Sequence, residues 1–282
     1  MINKAVMLSI IIPTLGRKTE FEALLKSIEK SDIPINYEII VVDQNPTRFL
    51  DDICNAYSTK MPLMQYKVGF KGASRARNFG VQKASGNIVC FPDDDAEFLP
   101  DTIKMALSVM EESKAECIFG RVINKDTGED VVIRFQKEEK YLSLTDFEGA
   151  FVEATMFAKT ALLRKFPYDE ELGVGTIHGA EEGYDLVYRL LCKKKSIYYS
   201  PKIVFYHPPK ILNRDTNNEV KRAFYYSCGY GYLCKKHRLT KKYVKRLIKL
   251  IIISFFVVII KRKWFRYFQA QILGLISGYR II

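Results

Sequence analysis

Between residues 7 and 123 the chain switches repeatedly between two hydrophobic periods, and this switching restricts the fold more than any other feature. Residues 7–12 are apolar apart from Ser9 and stop at Pro13, which suits a buried parallel strand. Thr19-Glu20-Phe21-Glu22 reads as a capping box, and Phe21, Leu24, Leu25 and Ile28 follow at helical spacing. Residues 37–42 form a second strand-like run ending in Asp43. Phe49, Leu50, Ile53, Cys54 and Tyr57 then supply another helical face. Residues 64–68, 74–84 and 87–91 repeat the cycle, and a helix over about 101–112 leads to a strand at 117–123. Strands alternating with helices predict an α/β fold, a parallel sheet covered by helices on both faces. Such sheets bind ligands beyond the carboxyl ends of their strands, where Asp43 and Asp93 to Asp95 fall.

The remainder is less regular. Residues 125–140 are polar and predict a loop with a short strand, and 148–163 read as partly helical. Gly173, Gly175, Gly179 and Gly183 predict a mobile loop before a helix at 184–192; a last strand at 197–206 ends at His207-Pro208-Pro209. With 282 residues, 48% hydrophobic and 27% charged, the chain is excluded from the disordered class. Six cysteines lack any C-x-x-C spacing, and the short N-terminal apolar run does not resemble a secretion signal. Reduced thiols serving as small apolar residues in a cytosolic protein are expected.

Charge separates the two ends. No acidic residue follows Glu219, whereas residues 220–282 carry fifteen Lys or Arg. The expected organisation is a domain over 1–215 and a basic amphipathic helical tail over 216–282. Residues 250–260 are apolar or Ser, shorter than the roughly 20 residues a bilayer crossing takes. Basic residues flank both sides of that run, and Trp264 and Tyr267 suit headgroup depth. The tail therefore predicts peripheral attachment to anionic lipids at the cytoplasmic face of the inner membrane. Its apolar content argues against a nucleic-acid partner.

Three consecutive carboxylates, Asp93-Asp94-Asp95, follow the strand at 87–91 after Phe91 only by Pro92, and they repel one another unless a cation or solvent neutralises them. Ile10-Ile11-Ile12-Pro13-Thr14, Val41-Val42-Asp43, Ala76-Arg77-Asn78-Phe79-Gly80, Ala84-Ser85-Gly86 and Phe91-Pro92-Asp93-Asp94-Asp95 stand in a particular order and spacing. In these residues, and over about 7–207, the chain resembles glycosyltransferase family 2, inverting enzymes of the GT-A fold, which implies an α/β, Rossmann-like, mixed, mainly parallel sheet flanked by helices. The resemblance implies a nucleotide-diphosphate sugar donor, foremost a UDP-sugar, and a divalent cation, Mn²⁺ or Mg²⁺. It also implies direct displacement at the anomeric carbon. Carried over by position, Pro13, Thr14 and Asp43 are similar to base-binding positions and Arg77 to one facing the nucleotide or its phosphates. Asp94 is similar to a ribose contact, and Asp95 with Asp93 to the metal-binding D-x-D pair. Family enzymes often carry a histidine near His207, which the resemblance adds as a metal or diphosphate ligand. The family often has a second acid after Asp43, where this chain has Gln44 and Asn45.

An inverting transfer needs a base for the acceptor hydroxyl. Gly179-Ala180-Glu181-Glu182-Gly183-Tyr184-Asp185-Leu186 is similar to the family's acidic motif, and Glu182, Asp185 and Glu181 compete for that role. His178 and Glu153 are further acceptor-side candidates. The expected activity is transfer to a saccharide or lipid-linked saccharide in bacterial surface-polysaccharide synthesis. A nucleotidyltransferase and a non-catalytic, membrane-tethered nucleotide-sugar-binding protein are the competing classes.

Overall fold

The structure is a computed structural model and describes residues 7–210 and 213–280. The chain divides into two compact units. Of the described residues, one unit comprises 7–70, 75–167 and 186–210 and holds the sheet; the other comprises 71–74, 168–185 and 213–280.

The first unit is built on strands β1 (Met7–Thr14), β2 (Asn36–Asp43), β3 (Leu63–Lys67), β4 (Ile88–Cys90), β5 (Glu97–Phe98), β6 (Cys117–Ile123), β7 (Lys140–Tyr141), β8 (Phe157–Lys159) and β9 (Ile197–Tyr206). They form one sheet in the order β3-β2-β1-β4-β8-β6-β9-β5, with β7 also paired to β9. β1, β2, β3 and β4 run parallel. β8 is antiparallel to both β4 and β6, and β5 and β7 are antiparallel to β9, so the sheet is mixed. Helices α1 (Thr19–Glu29), α2 (Asp51–Ser58), α3 (Ala73–Lys83), α4 (Thr102–Ser113) and α5 (Thr160–Lys165) connect the strands, and α6 (Glu182–Cys192) precedes β9.

Ile10, Ile11 and Ile12 are all fully buried, which is why β1 reads as a continuous apolar run and not as an alternating one. Gly80 lets α3 lie directly on β1, because a Cβ there would collide with the Ile11 side chain. The expected capping box does not form. Thr19 is already helical and Lys18 occupies the N-cap position without a side-chain hydrogen bond. The backbone instead supplies the first turn through Glu22 N–H to Lys18 O at 3.0 Å. The segment expected to be partly helical at 148–163 contains a single 3-10 turn at Glu153–Thr155, then β8 and α5.

In the second unit, helices α7 (Asn217–Lys236), α8 (Thr240–Ile260) and α9 (Phe265–Arg280) follow one another. Thr216 caps α7 by accepting from Glu219 N–H at 3.3 Å. α9 packs along α7 at a separation only glycine permits, since a Cβ on Gly274 or Gly278 would meet the carbonyl of Phe224 or Cys228. Among the described residues, no helix is long and apolar enough to cross a membrane.

Candidate active site

The carboxyl ends of β1, β2 and β4 converge on one rim of the sheet, with Thr14 in register with Asp43. Asp43 is fully buried. Its carboxylate accepts from Asn45 N–H at 2.9 Å, Asn45 Nδ2 at 2.7 Å and Gln65 Nε2 at 2.8 Å. Asn45 Oδ1 in turn accepts from Gly16 N–H at 2.8 Å, which joins the loops after β1 and β2. Thr14 is buried and Pro13 half-buried beside them. Beneath this rim, Glu38 accepts from Ser9 Oγ and from Ser85 N–H, each at 2.6 Å, and so fixes the Ala84-Ser85-Gly86 turn.

The acidic triplet follows β4. Arg77, buried on α3, reaches the Asp93 carboxylate at 3.3 Å. Asp94 is buried and ion-paired to Arg17, whose other terminal nitrogen lies 2.9 Å from Asp95. Burial pushes the Asp94 carboxyl up, against the opposing pull of Arg17. His207, just past β9, brings Nε2 to 3.5 Å from Asp95 and 4.0 Å from Asp93. Asp93, Asp95 and His207 can each point one ligand atom into a common space, these atoms lying within 4.8 Å of one another. The His207 Nδ1 lies 2.9 Å from the Pro208 carbonyl, an acceptor only, so Nδ1 carries a proton and donates. Nε2 is thus the ring nitrogen that faces the two carboxylates. That donor set of two carboxylate oxygens and one imidazole nitrogen fits a divalent cation.

In the second unit, residues 172–178 close on themselves. Gly173 N–H donates to His178 O at 2.8 Å, and His178 Nδ1 lies 3.0 Å from Glu171 O. Glu182, buried at the first turn of α6, lies against Gly173, where a Cβ would come within 3.2 Å of its carboxyl carbon. Gly173 has φ +108, so the turn needs glycine for conformation as well as for space. Glu181, just before, holds φ +75, a strained value for a side-chain-bearing residue.

Asp185 is different in kind. It has no exposed surface, and its Oδ1 accepts from His237 Nε2 at 2.8 Å and Lys236 Nζ at 2.7 Å. Lys236 also pairs with Asp169 at 2.6 Å, and Tyr232 OH donates to the same Asp169 oxygen at 3.3 Å. Burial, helped by the Asp169 charge, pushes the Tyr232 phenol up to about 12, so it remains a donor at ordinary pH.

Sequence reasoning did not find Arg17 and Gln65 as parts of the site and met Asn45 only as a departure from the family pattern, nor did it find Asp169, Lys236 and His237 as partners of Asp185. Arg17 did carry a signal, since Gly16 (φ +78) turns the chain immediately beyond Thr14. The distant partners of Asp185 carried none.

The family model for glycosyl transferase family 2 matches residues 9–172. The chain belongs to glycosyl transferase family 2. A β-1,3-glucosyltransferase of Campylobacter jejuni, named for GalNAc(5)-diNAcBac-PP-undecaprenol, is 26% identical over 81% of this chain and 73% of its own length. An uncharacterized glycosyltransferase of Haemophilus influenzae is 33% identical over 38% of this chain. This chain covers 35% of the Haemophilus relative and 20% of the Staphylococcus aureus poly(ribitol-phosphate) β-N-acetylglucosaminyltransferase TarS. Residues 1–349 of that TarS superpose with TM-score 0.61 at 17% identity, covering 98% of this chain and 89% of the other. A Pyrobaculum calidifontis mannosyltransferase, in complex with GDP-Man and Mn²⁺, gives TM-score 0.64 at 16% identity over 96% and 86% of the two chains. The mixed sheet with flanking helices is thus the GT-A architecture of the family.

Proposed function

We propose that this chain transfers a sugar, with inversion, from a nucleotide-diphosphate donor to a hydroxyl of a saccharide or lipid-linked saccharide. The observation that carries the reading is the Asp93–Asp95–His207 donor set at the carboxyl rim of the sheet, with Nδ1 of His207 committed to Pro208. The named relatives support it. TarS has been crystallised with UDP-GlcNAc and with UDP, and the Campylobacter enzyme's name specifies an undecaprenol-linked substrate.

On this reading Thr14 and Asp43 hold the nucleotide base, and Asn45 and Gln65 keep the Asp43 carboxylate oriented. Asp94 meets the ribose. Asp93, Asp95 and His207 hold the cation, Mn²⁺ or Mg²⁺, which when bound offsets charge building on the departing diphosphate. Arg17 and Arg77, already beside the triplet, add fixed positive charge for the same phosphates. The Glu182 carboxylate takes the proton of the acceptor hydroxyl. The hydroxyl oxygen forms the new bond to the anomeric carbon as the bond to the diphosphate oxygen breaks. We assign the base to Glu182 because Asp185 is held in a buried ion pair and serves as an anchor. Location at the cytoplasmic face of the inner membrane, in surface-polysaccharide synthesis, completes the proposal.

Calorimetric titration with UDP, GDP, CDP and dTDP, with and without Mn²⁺, on wild type and Asp95→Ala tests it. Tight binding of one nucleotide that needs both the cation and Asp95 is expected. Equal binding by Asp95→Ala would move the donor site elsewhere.

A further inference from the structure

Helix α8 presents two apolar faces, and packing covers only one of them. Tyr243, Leu247, Leu250, Ser254 and Val257 are buried or half-buried, and Tyr243 stacks on Tyr279 of α9 with ring centroids 3.9 Å apart. Val244, Ile248, Ile251, Ile252, Phe255 and Ile259 are exposed, Phe255 by 67% and Ile259 by 71%, and Phe256 and Val258 are exposed on either side of them. At about 100° per residue the first six fall in one stripe about 100° wide. Ile260, 73% exposed, continues the apolar surface to the helix end.

Cations mark one margin of the stripe. Lys245 and Lys249 follow it one turn apart, with Lys241 at the leading turn, and Lys261, Arg262 and Lys263 stand just beyond the helix. Trp264, the chain's only tryptophan, lies beside them, with Lys261 Nζ 4.2 Å from its ring centroid.

We propose that α8 lies in the plane of an anionic bilayer surface, its exposed stripe at the boundary of headgroups and acyl chains and its basic margin on the lipid phosphates. Charge selects this occupant. No acidic residue follows Glu219, so a second copy would bring two cationic helices together without a counter-charge. A phosphate backbone would complement the lysines but not Phe255 and the isoleucines at the centre of the face. An anionic leaflet complements both. Spanning is excluded by length and charge for the described helices. The inference deepens the proposed function and rests on it for the acceptor alone: Lys242, in the first turn of α8, donates to Tyr184 OH at 2.8 Å, two residues beyond Glu182. A helix held on the leaflet is therefore tied to the helix that carries the proposed base.

The test uses the full chain and vesicles of phosphatidylcholine, alone or with phosphatidylglycerol. Sedimentation with the anionic vesicles only, weakening at high salt, is expected, together with a blue shift of Trp264 emission. The double variant Ile252→Glu/Phe255→Glu should lower partitioning at least about tenfold, since each substitution removes a buried apolar side chain from the interface. Lys245→Glu/Lys249→Glu should remove the preference for anionic lipid. Circular dichroism and Mn²⁺-dependent nucleotide binding check that each variant remains folded. Undiminished partitioning by the double variant overturns the proposal. So does a concentration-dependent dimer in light scattering that the same variant abolishes. Vesicle binding without nucleotide binding would leave the docking surface standing while sinking the transferase reading, and the reverse would do the opposite.

Discussion

At the scale of single residues, the acidic motif holds three carboxylates, Glu181, Glu182 and Asp185, that compete in the sequence for the role of base. Asp185 is locked to Lys236 and His237, whereas Glu182 rests against Gly173 at the start of α6. Removing one member of a buried ion pair strands the other, which costs about 3–5 kcal/mol. Asp185→Asn is accordingly expected to lower the urea midpoint, by less than the full cost because Lys236 keeps Asp169 as a partner. Glu182→Gln should reduce turnover by about 10²–10⁴-fold, with nucleotide affinity retained. A Glu182→Gln enzyme of normal kcat would return the base to another residue. On the donor side, Asp95→Asn should weaken Mn²⁺-dependent nucleotide binding about 10–100-fold, and EDTA should have a similar effect on wild type. Arg17→Ala should weaken nucleotide binding in Mn²⁺ and also lower the melting temperature, because it leaves the buried Asp94 carboxylate without its cation.

At the scale of elements, two close approaches set how helices lie. α3 reaches β1 only because residue 80 lacks a side chain, and α9 reaches α7 only because residues 274 and 278 do. Overpacking such contacts costs typically about 1–3 kcal/mol. Gly278→Val and Gly80→Val are each expected to lower denaturant stability by that amount or more, and unchanged unfolding curves would contradict the packing. The strand periods were legible in the sequence because β1 and β2 are buried on both faces, which leaves no alternation to misread. The start of α1 was not legible. A Ser/Thr-x-x-Glu pattern guarantees no cap when the chain enters the helix one residue earlier, with Lys18 already in αR conformation. The antiparallel insertion of β8 also escaped, since three strand residues leave too short a pattern to recognise.

At the scale of the whole molecule, the proposed donor ligands and the proposed base belong to different compact units, and the chain passes from one unit to the other inside α6, between Asp185 and Leu186. All six cysteines are free, and only Cys192 is exposed. Burial raises the thiols further, Cys54 to about 12 and Cys234 to about 11. Ellman's reagent should titrate one thiol in the native protein and six in guanidinium. More than one fast native thiol would show that the cores open readily.

The order of strands and helices, the position of the acids at strand ends and the cationic, apolar C-terminal segment follow from the sequence, because each is written in neighbouring residues: a hydrophobic period, a run of charge, a turn. Tertiary structure decided what those acids can do. Arg17 meets Asp94 across 77 residues, and Asp185 meets His237 across 52. Pairings of that separation leave no local pattern, since they are chosen by which elements pack together and by the cost of burying a charge without a partner.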